Sequence, residues 1–200
     1  RRHRHARAPE VGGGAAGSAV IYLSGAVRED LMGFASTGLM LTPNMGNRPD
    51  LGRSLWAADN GCYSMGESFD LERFYRWLLN RYDHRSTCLF AVAPDVVGDA
   101  AATWERSRHV LPRLREMGFK AALVGQDGLE ALRVPWDAFD CLFIGGSTEW
   151  KLSEHAWTLV ALAKRRGKWV HVGRVNSWKR LRACYFAGVD SVDGTYVAFG

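Results

Sequence analysis

The chain lacks a Cys-x-x-Cys pair, a long apolar run and a phosphate-loop signature after a strand. Its four cysteines, Cys62, Cys88, Cys141 and Cys184, stand far apart. Cys88 and Cys141 sit in apolar, strand-like runs where free thiols are commonly buried, which fits a reducing cytoplasm. No apolar run approaches the ~20 residues needed to span a bilayer. The stretch 19–23 is too short and too poorly flanked for a signal peptide. Neither Gly-x-Gly-x-x-Gly nor Gly-x-x-x-x-Gly-Lys follows any strand candidate, which disfavours an open nucleotide-binding sheet. Acid is missing from one long stretch. Residues 164–182 hold Lys164, Arg165, Arg166, Lys168, Arg174, Lys179, Arg180 and Arg182 with no Asp or Glu. Two readings stay open for this block: a phosphate-neutralising surface, or the solvated basic ends of two helices.

What is present is enough for one domain with a substantial core: 200 residues of ordinary hydrophobic content. The net charge is +5, of which Arg1, Arg2, Arg4 and Arg7 against Glu10 supply +3 and the remainder +2. The overall charge therefore argues only weakly for nucleic acid. Residues 1–17 are basic and then glycine-rich, and read as a flexible arm; residues 18–200 read as the folded domain.

Eight short strand candidates follow one another: 19–23, 39–42, 55–58, 88–93, 121–124, 141–144, 169–172 and 189–192. Most are continuous apolar runs, the pattern of parallel strands buried on both faces. Helical spacings separate them over 69–82, 99–117, 153–166 and 177–187, with Gly118, Gly167 and Gly188 as stops. Pro112 predicts a kink in the second helix. Residues 28–35 allow a short helix and 43–54 read as a turn-rich loop. Strand–helix alternation eight times over predicts a compact α/β domain, a (β/α)8 TIM-type barrel with a trimmed final helix. The side left uncovered would be closed by the arm or by a second copy.

In such a barrel the strand ends share one face, and chemistry gathers there. Polar residues recur at that place: Asp59, Asp95, Gln126, the Gly145-Gly146 pair and Asp193. Asp70, Asp99 and Asp127 read as caps or turns. Asp59 and Asp193 differ, each being followed by glycine within two residues, which leaves the backbone open to a ligand. Two carboxylates across a barrel mouth can divide nucleophile and acid/base roles. Gly145-Gly146-Ser147-Thr148 also allows a phosphate cradle of the kind found in small-molecule barrel enzymes, although that leaves both aspartates without a task.

The ordered series Asp59-Asn60-Gly61-Cys62-Tyr63, Pro94-Asp95, Val124-Gly125-Gln126, Gly145-Gly146, His171-Val172-Gly173 and Val192-Asp193-Gly194 resembles the tRNA-guanine transglycosylase superfamily. The resemblance implies Asp193 as nucleophile, Asp59 as general acid/base and Tyr63 as the aromatic stacking on a base. Asn60 and Gly61 would line the base pocket, and Asp95, Gln126 and the amides of Gly145 and Gly146 would read the base edge. His171 would pack on the base or stand as a core or supporting histidine. Asn60 and Cys62 depart from the usual motif, and Cys62 reads as pocket-lining rather than as a catalytic thiol. No cofactor is implied. The chain also stops before the family's Cys/His zinc site, so no metal is expected.

From that resemblance follows an expected DNA glycosylase. It would flip a modified base from DNA, excise it and leave an abasic site. Arg174, Lys179, Arg180 and Arg182 would contact the nucleic-acid backbone, and Trp150 and Trp178 would wedge or simply pack. Analogy with superfamily members places such an enzyme in defence against phages. The alternatives are a base-exchanging transglycosylase for a 7-deazaguanine in DNA or tRNA, taking up a free nucleobase, and a non-catalytic nucleic-acid-binding barrel. A homodimer is allowed, and no membrane partner is expected.

Overall fold

The computed structural model describes residues 19–25, 35–45 and 51–194. Eight strands run in order: β1 Ile21–Ser24, β2 Thr37–Leu41, β3 Leu55–Ala58, β4 Cys88–Val92, β5 Ala121–Gly125, β6 Cys141–Ile144, β7 Trp169–Val172 and β8 Ser191–Asp193. Each pairs in parallel with the next, and β8 closes on β1 through Ile21–Ser191, Tyr22–Val192 and Leu23–Asp193. The domain is a closed (β/α)8 TIM-type barrel, as the strand–helix alternation predicted. The Tyr22 hydroxyl donates to the Gly194 carbonyl and ties the closing strands together beyond the ladder.

Two-sided burial explains why the strands read as apolar runs. Side chains alternate across each strand. Leu23, Met40, Ala57, Phe90, Val92, Ala122, Val124 and Cys141 form one buried cluster, the barrel interior. Their neighbours, among them Leu41, Trp56, Ala91, Leu123, Ile144 and Val170, join the larger cluster between barrel and helices. The first, second and eighth strands lie one or two residues from their expected positions, because hydropathy marks burial and not the ladder.

Three helices start on side-chain caps, of which Asp70 was read from the sequence. Asp70 accepts from the Arg73 amide at 3.1 Å, Ser153 from Ala156 at 3.4 Å and Ser177 from Arg180 at 3.3 Å. The expected helix over 99–117 is two helices, Ala100–Ser107 and Val110–Glu116, the first capped by Asp99 on the Ala102 amide at 2.9 Å. Pro112 therefore does not kink a helix. It occupies the first turn of the second one, where its missing N–H has no carbonyl to reach. We number the α-helices α1 Cys62–Met65, α2 Leu71–Leu79, α3 Ala100–Ser107, α4 Val110–Glu116, α5 Thr148–Lys151, α6 Glu154–Arg165 and α7 Trp178–Phe186. Tyr82, expected to end α2, opens a separate 3₁₀ turn over Tyr82–Thr87.

The basic arm 1–17, most of the segment 28–35 and residues 46–50 of the expected loop lie outside the described residues. Among the described residues no helix is long and apolar enough to cross a membrane.

Candidate active site

Strand periodicity aims two carboxyl groups at one place. Asp59 follows the inward-facing Ala57 by two residues, and Asp193 follows the inward-facing Ser191 by two. Both therefore project at the C-terminal mouth of the barrel, the face where catalytic groups of this fold collect. They line one cleft of about 200 Å³ together with Tyr63, Asp95, Gln126, Phe143, Gly145, Gly173, Arg174 and three valines. The cleft thus has apolar walls and a few convergent polar groups, the usual composition of a small-ligand site.

Asp59 continues the sheet through its amide, which donates to the Leu41 carbonyl at 2.8 Å. Its Oδ1 accepts from the Gly61 amide at 2.9 Å. Gly61 adopts φ 75°, so the glycine is needed for that turn. Burial pushes the Asp59 carboxyl up to about 6, and the nearby charges of Asp193 and Asp95 push the same way, against the Gly61 hydrogen bond.

Asp193 stands in a different setting. Its Oδ1 accepts from the Arg174 amide at 3.3 Å and meets His171 Nε2 at 2.9 Å. The fully buried imidazole sits among Phe90 and Phe143, with ring centroids 5.1 and 4.5 Å away. His171 Nδ1 lies 2.9 Å from Ser191 Oγ, and the Trp169 indole N–H donates to that oxygen at 2.9 Å. An ionised Asp193 carboxylate can only accept, so a neutral His171 donates from Nε2 and accepts at Nδ1 the proton of the Ser191 hydroxyl, whose oxygen in turn accepts from the Trp169 indole. That pattern assigns the proton of a neutral imidazole to Nε2, from which it is donated to Asp193. Trp169, Ser191 and His171 thus form one directed chain ending on the carboxylate. His171 is a supporting residue behind Asp193 and does not line the cleft.

Several other expected site residues are tied into the scaffold instead. Asn60 is buried and donates to the carbonyls of Val92 at 3.3 Å and Ala93 at 3.1 Å, while its oxygen accepts from the Cys62 amide at 2.6 Å. It locks the end of β3 to the end of β4 and has no group left for a ligand. Cys62 does not line the cleft: it packs behind Asp95, with Sγ 3.1 Å from Oδ1, and burial first, then the Asp95 charge, pushes its thiol up to about 12. It is neither a thiolate nucleophile nor pocket-lining. Asp95 and Gln126 reach the cleft but bond to each other at 2.6 Å, and Gln126 also accepts from the Gly98 amide at 2.9 Å. The Gly145 amide belongs to the barrel ladder, donating to Gly125 at 2.9 Å. Gly146 is outside the cleft lining, as are Lys179, Arg180 and Arg182. Tyr63 is three-quarters exposed at 76% and stands at the rim.

The expected phosphate cradle at Gly145-Gly146-Ser147-Thr148 is already filled by a side chain. Asp127 accepts from the Ser147 amide at 2.7 Å and hydroxyl at 2.6 Å. Those bonds outweigh the burial that opposes them and hold its carboxyl below the usual range. Asp127 accordingly stitches two strand-end loops together rather than capping a helix. Trp150 is buried and donates to Glu130 at 2.8 Å, a packing role, whereas Trp178 is exposed.

The sequence reading missed Ser191, Trp169 and Lys151. Ser191 was legible in principle, since a polar residue two before Asp193 must share its inward face. Lys151 was hidden because its helix, α5, has four residues and no periodicity to read. Among the described residues no group of three or more His, Cys, Asp or Glu side chains is arranged to hold a metal ion.

Neither a protein-family model nor a curated protein matches the chain. Among solved structures, similar chains include the PaMucR phosphodiesterase in complex with c-di-GMP, at 14% identity and TM-score 0.46, covering 72% of this chain and 60% of that one. Bacillus subtilis YkuI, with an EAL domain and c-di-GMP and calcium bound, matches at 18% identity and TM-score 0.44, covering 72% and 36%. Klebsiella pneumoniae BlrP1 with calcium and c-di-GMP matches at 19% identity and TM-score 0.43, covering 73% and 39%. The chain thus spans less than two thirds of the length of each. At these TM-scores the likenesses carry no argument about activity.

These findings correct the family assignment. No transglycosylase model and no curated transglycosylase matches the chain, and none of the solved structures named above is one. The readings that hung on the resemblance fall with it: N-glycosylase, base exchange, nucleic-acid-binding barrel, DNA with a flipped-out base, free nucleobase as partner, and phage defence. The physical reason lies in the fold. A (β/α)8 barrel places a polar residue after each strand at intervals set by strand and helix length, so six short motifs in order report architecture and not a shared reaction.

Proposed function

We propose that the chain is a small-molecule acid–base enzyme in which Asp59 and Asp193 exchange a proton with a substrate bound in the barrel mouth. The observation that supports this reading most directly is the unequal treatment of two carboxyl groups facing one cleft. One is enclosed beside other acids and holds its proton up to about 6. The other accepts hydrogen bonds from a buried imidazole and a backbone amide. Environments that separate two titratable groups in this way suit one to give a proton and the other to take one.

In this scheme protonated Asp59 donates to an oxygen or nitrogen of the substrate as charge develops there. Asp193 withdraws a proton from the substrate or from water, or steadies positive charge, its oxygen held in place by His171 and the Arg174 amide. Phe143 and the valine walls limit water in the cleft and favour a flat or ring-shaped substrate of modest size.

Turnover of a panel of phosphorylated and unphosphorylated ring-containing metabolites, with c-di-GMP included, tests the reading when combined with Asp59→Asn and Asp193→Asn. Each variant is expected to lose about 100-fold or more in rate, the usual weight of a positioned acid or base. Carbon-13 NMR of the aspartate carboxyls supplies a substrate-free check. An Asp59 that titrates in the ordinary carboxylate range, or turnover indifferent to both substitutions, would sink the proposal.

A further inference from the structure

We propose that the small cleft between α5 and α7 is a phosphate subsite continuous with the two-aspartate cleft, so that the substrates are small phosphorylated compounds. This rests on reading the barrel mouth as an acid–base site and adds to it the part of the substrate that does not react. Lys151, Arg174 and Arg180 line this second cleft with Thr148, and no carboxylate lines it. It shares Gly173 and Arg174 with the first, so one molecule can occupy both.

Each cation is available. Lys151 is 6% exposed and gives one hydrogen bond, to the Gly173 carbonyl at 2.8 Å. An ammonium has three donors, and water has little access to the other two. The Arg174 guanidinium donates to peptide carbonyls, those of Gly146 at 2.5 Å and Gly145 at 3.4 Å. Among the described residues none of the three cations forms an ion pair with a carboxylate.

Two further observations point to a ligand. Arg174 is the one non-glycine residue among those described with positive φ, at 58°. Such a conformation is unfavourable for an arginine and is a feature that collects at ligand clamps. Burial, and then the charges of Arg174 and Arg180, depress the Lys151 ammonium to about 8, with Asp193 and Cys184 opposing. A buried ammonium beside two guanidinium groups has no carboxylate paired directly with it, and a phosphate supplies that partner through charge-assisted hydrogen bonds. The enclosed space is about 10 Å³, room for one water-sized atom. One phosphate oxygen therefore enters towards Lys151, and the rest of the group stays at the open rim beside Arg180.

The test is a ¹H–¹⁵N NMR titration of the full chain with inorganic phosphate and with phenyl phosphate. Saturable shifts are expected at the Gly173, Arg174 and Val175 amides. Lys151→Met and Arg180→Gln should each weaken binding about 10-fold or more, the loss of one charge-assisted contact at ~1.4 kcal/mol per factor of ten. Lys151→Arg should bind within a few-fold of the parent. Should Lys151→Met not fold, Arg180→Gln, on the partly exposed side of the cleft, carries the comparison alone. Absence of saturable shifts, shifts reproduced by chloride at equal ionic strength, or variants that bind as tightly as the parent would overturn the subsite. So would a short DNA duplex that moves these amides when phosphate does not. Asp59 titrating near 6 in the same samples would leave the acid–base reading standing, so the two can fail separately.

Discussion

His171 and Asp193 are joined by a 2.9 Å contact between Nε2 and Oδ1, and the imidazole that makes it is fully buried with Ser191 on its other nitrogen. The carboxylate, which can only accept, keeps the proton of a neutral ring on Nε2, and the serine hydroxyl, held by the Trp169 indole, satisfies the other nitrogen. Orientation of the carboxylate is therefore set two residues away from the cleft, inside the barrel.

Ser191→Ala should disturb this chain without touching the cleft wall. It leaves the Trp169 N–H and His171 Nδ1 without partners, at a cost of about 1–3 kcal/mol for each buried polar group left unsatisfied. Nitrogen-15 NMR of His171 should keep the Nε2–H tautomer, because Asp193 still accepts from it, while the Nδ1 resonance shifts as its hydrogen bond is lost; urea unfolding should show the cost. Ser191→Thr, which restores a hydroxyl, should recover the Nδ1 shift. An unchanged imidazole spectrum in Ser191→Ala would show that the serine does not hydrogen-bond the ring.

Asp59 gives the stability curve a sign that can be worked out. Its carboxyl is raised from 3.8 to about 6 on folding, so the folded chain binds that proton more tightly than the unfolded one. Below pH ~4 both states hold the proton and the group costs nothing. Between about 4 and 6 the unfolded chain ionises first and stability falls with rising pH. Above 6 the loss levels off at no more than about 3 kcal/mol, at 1.36 kcal/mol per pH unit, and less to the extent that the open mouth lets water in. Asp59→Asn should therefore be more stable than the parent at pH 7.5 and equal to it near pH 3.5. Chemical denaturation at the two pH values measures the difference, and equal stability at both would contradict the buried-acid assignment.

Asn60 makes the opposite kind of prediction, because it sits beside the acid and yet serves the scaffold. Its side chain bridges two carbonyls at the end of β4 and one amide at the start of α1. Across the β3–β4 seam the register shifts between the pairs Trp56–Cys88 and Ala58–Ala91, so the ladder there is irregular and the bridge replaces it. Asn60→Ala should destabilise the fold by about 2–4 kcal/mol, the sum of buried groups left unpaired. Ligand affinity per folded molecule should stay within a few-fold of the parent. Normal stability in thermal unfolding would contradict the structural role.

The barrel was legible because its strands are buried on both faces and its helices are bounded by signals such as the Asp70 and Asp99 caps and the Gly167 and Gly188 stops. These signals are local, and each is satisfied within a few residues of chain. The two carboxylates were legible for the same reason, since strand periodicity alone sends Asp59 and Asp193 inward. What each polar residue does at the mouth was not legible. Asn60, Gln126 and the Gly145 amide carry the right atoms for binding, but their partners come from neighbouring strands, and no sequence pattern announces those pairings. Pro112 misled because the break it was thought to cause belongs to residues 108–109, one turn earlier. The motif order misled more deeply, since regular spacing is a property that unrelated (β/α)8 barrels share.

Gly146 isolates this distinction between binding and packing. Read from the sequence, it offers an amide to a ligand; in the structure it lets the chain pass the Trp150 ring. A Cβ there would collide with Trp150 Cε3, meet Cζ3 at 2.9 Å and approach Asp127 Oδ2 at 3.1 Å, all at a backbone φ of 38°. Trp150 is pinned through its indole N–H to Glu130, so the ring has little freedom to withdraw. Gly146→Ala should therefore cost about 2–4 kcal/mol, overpacking and positive-φ strain together. The same substitution should move the Asp127–Ser147 bonds that join the loops after β5 and β6. Urea unfolding gives the energy, and the Ser147 amide shift in NMR reports the loop. A variant as stable as the parent, with an unmoved Ser147 amide but weakened phosphate binding, would return Gly146 to the ligand and away from the scaffold.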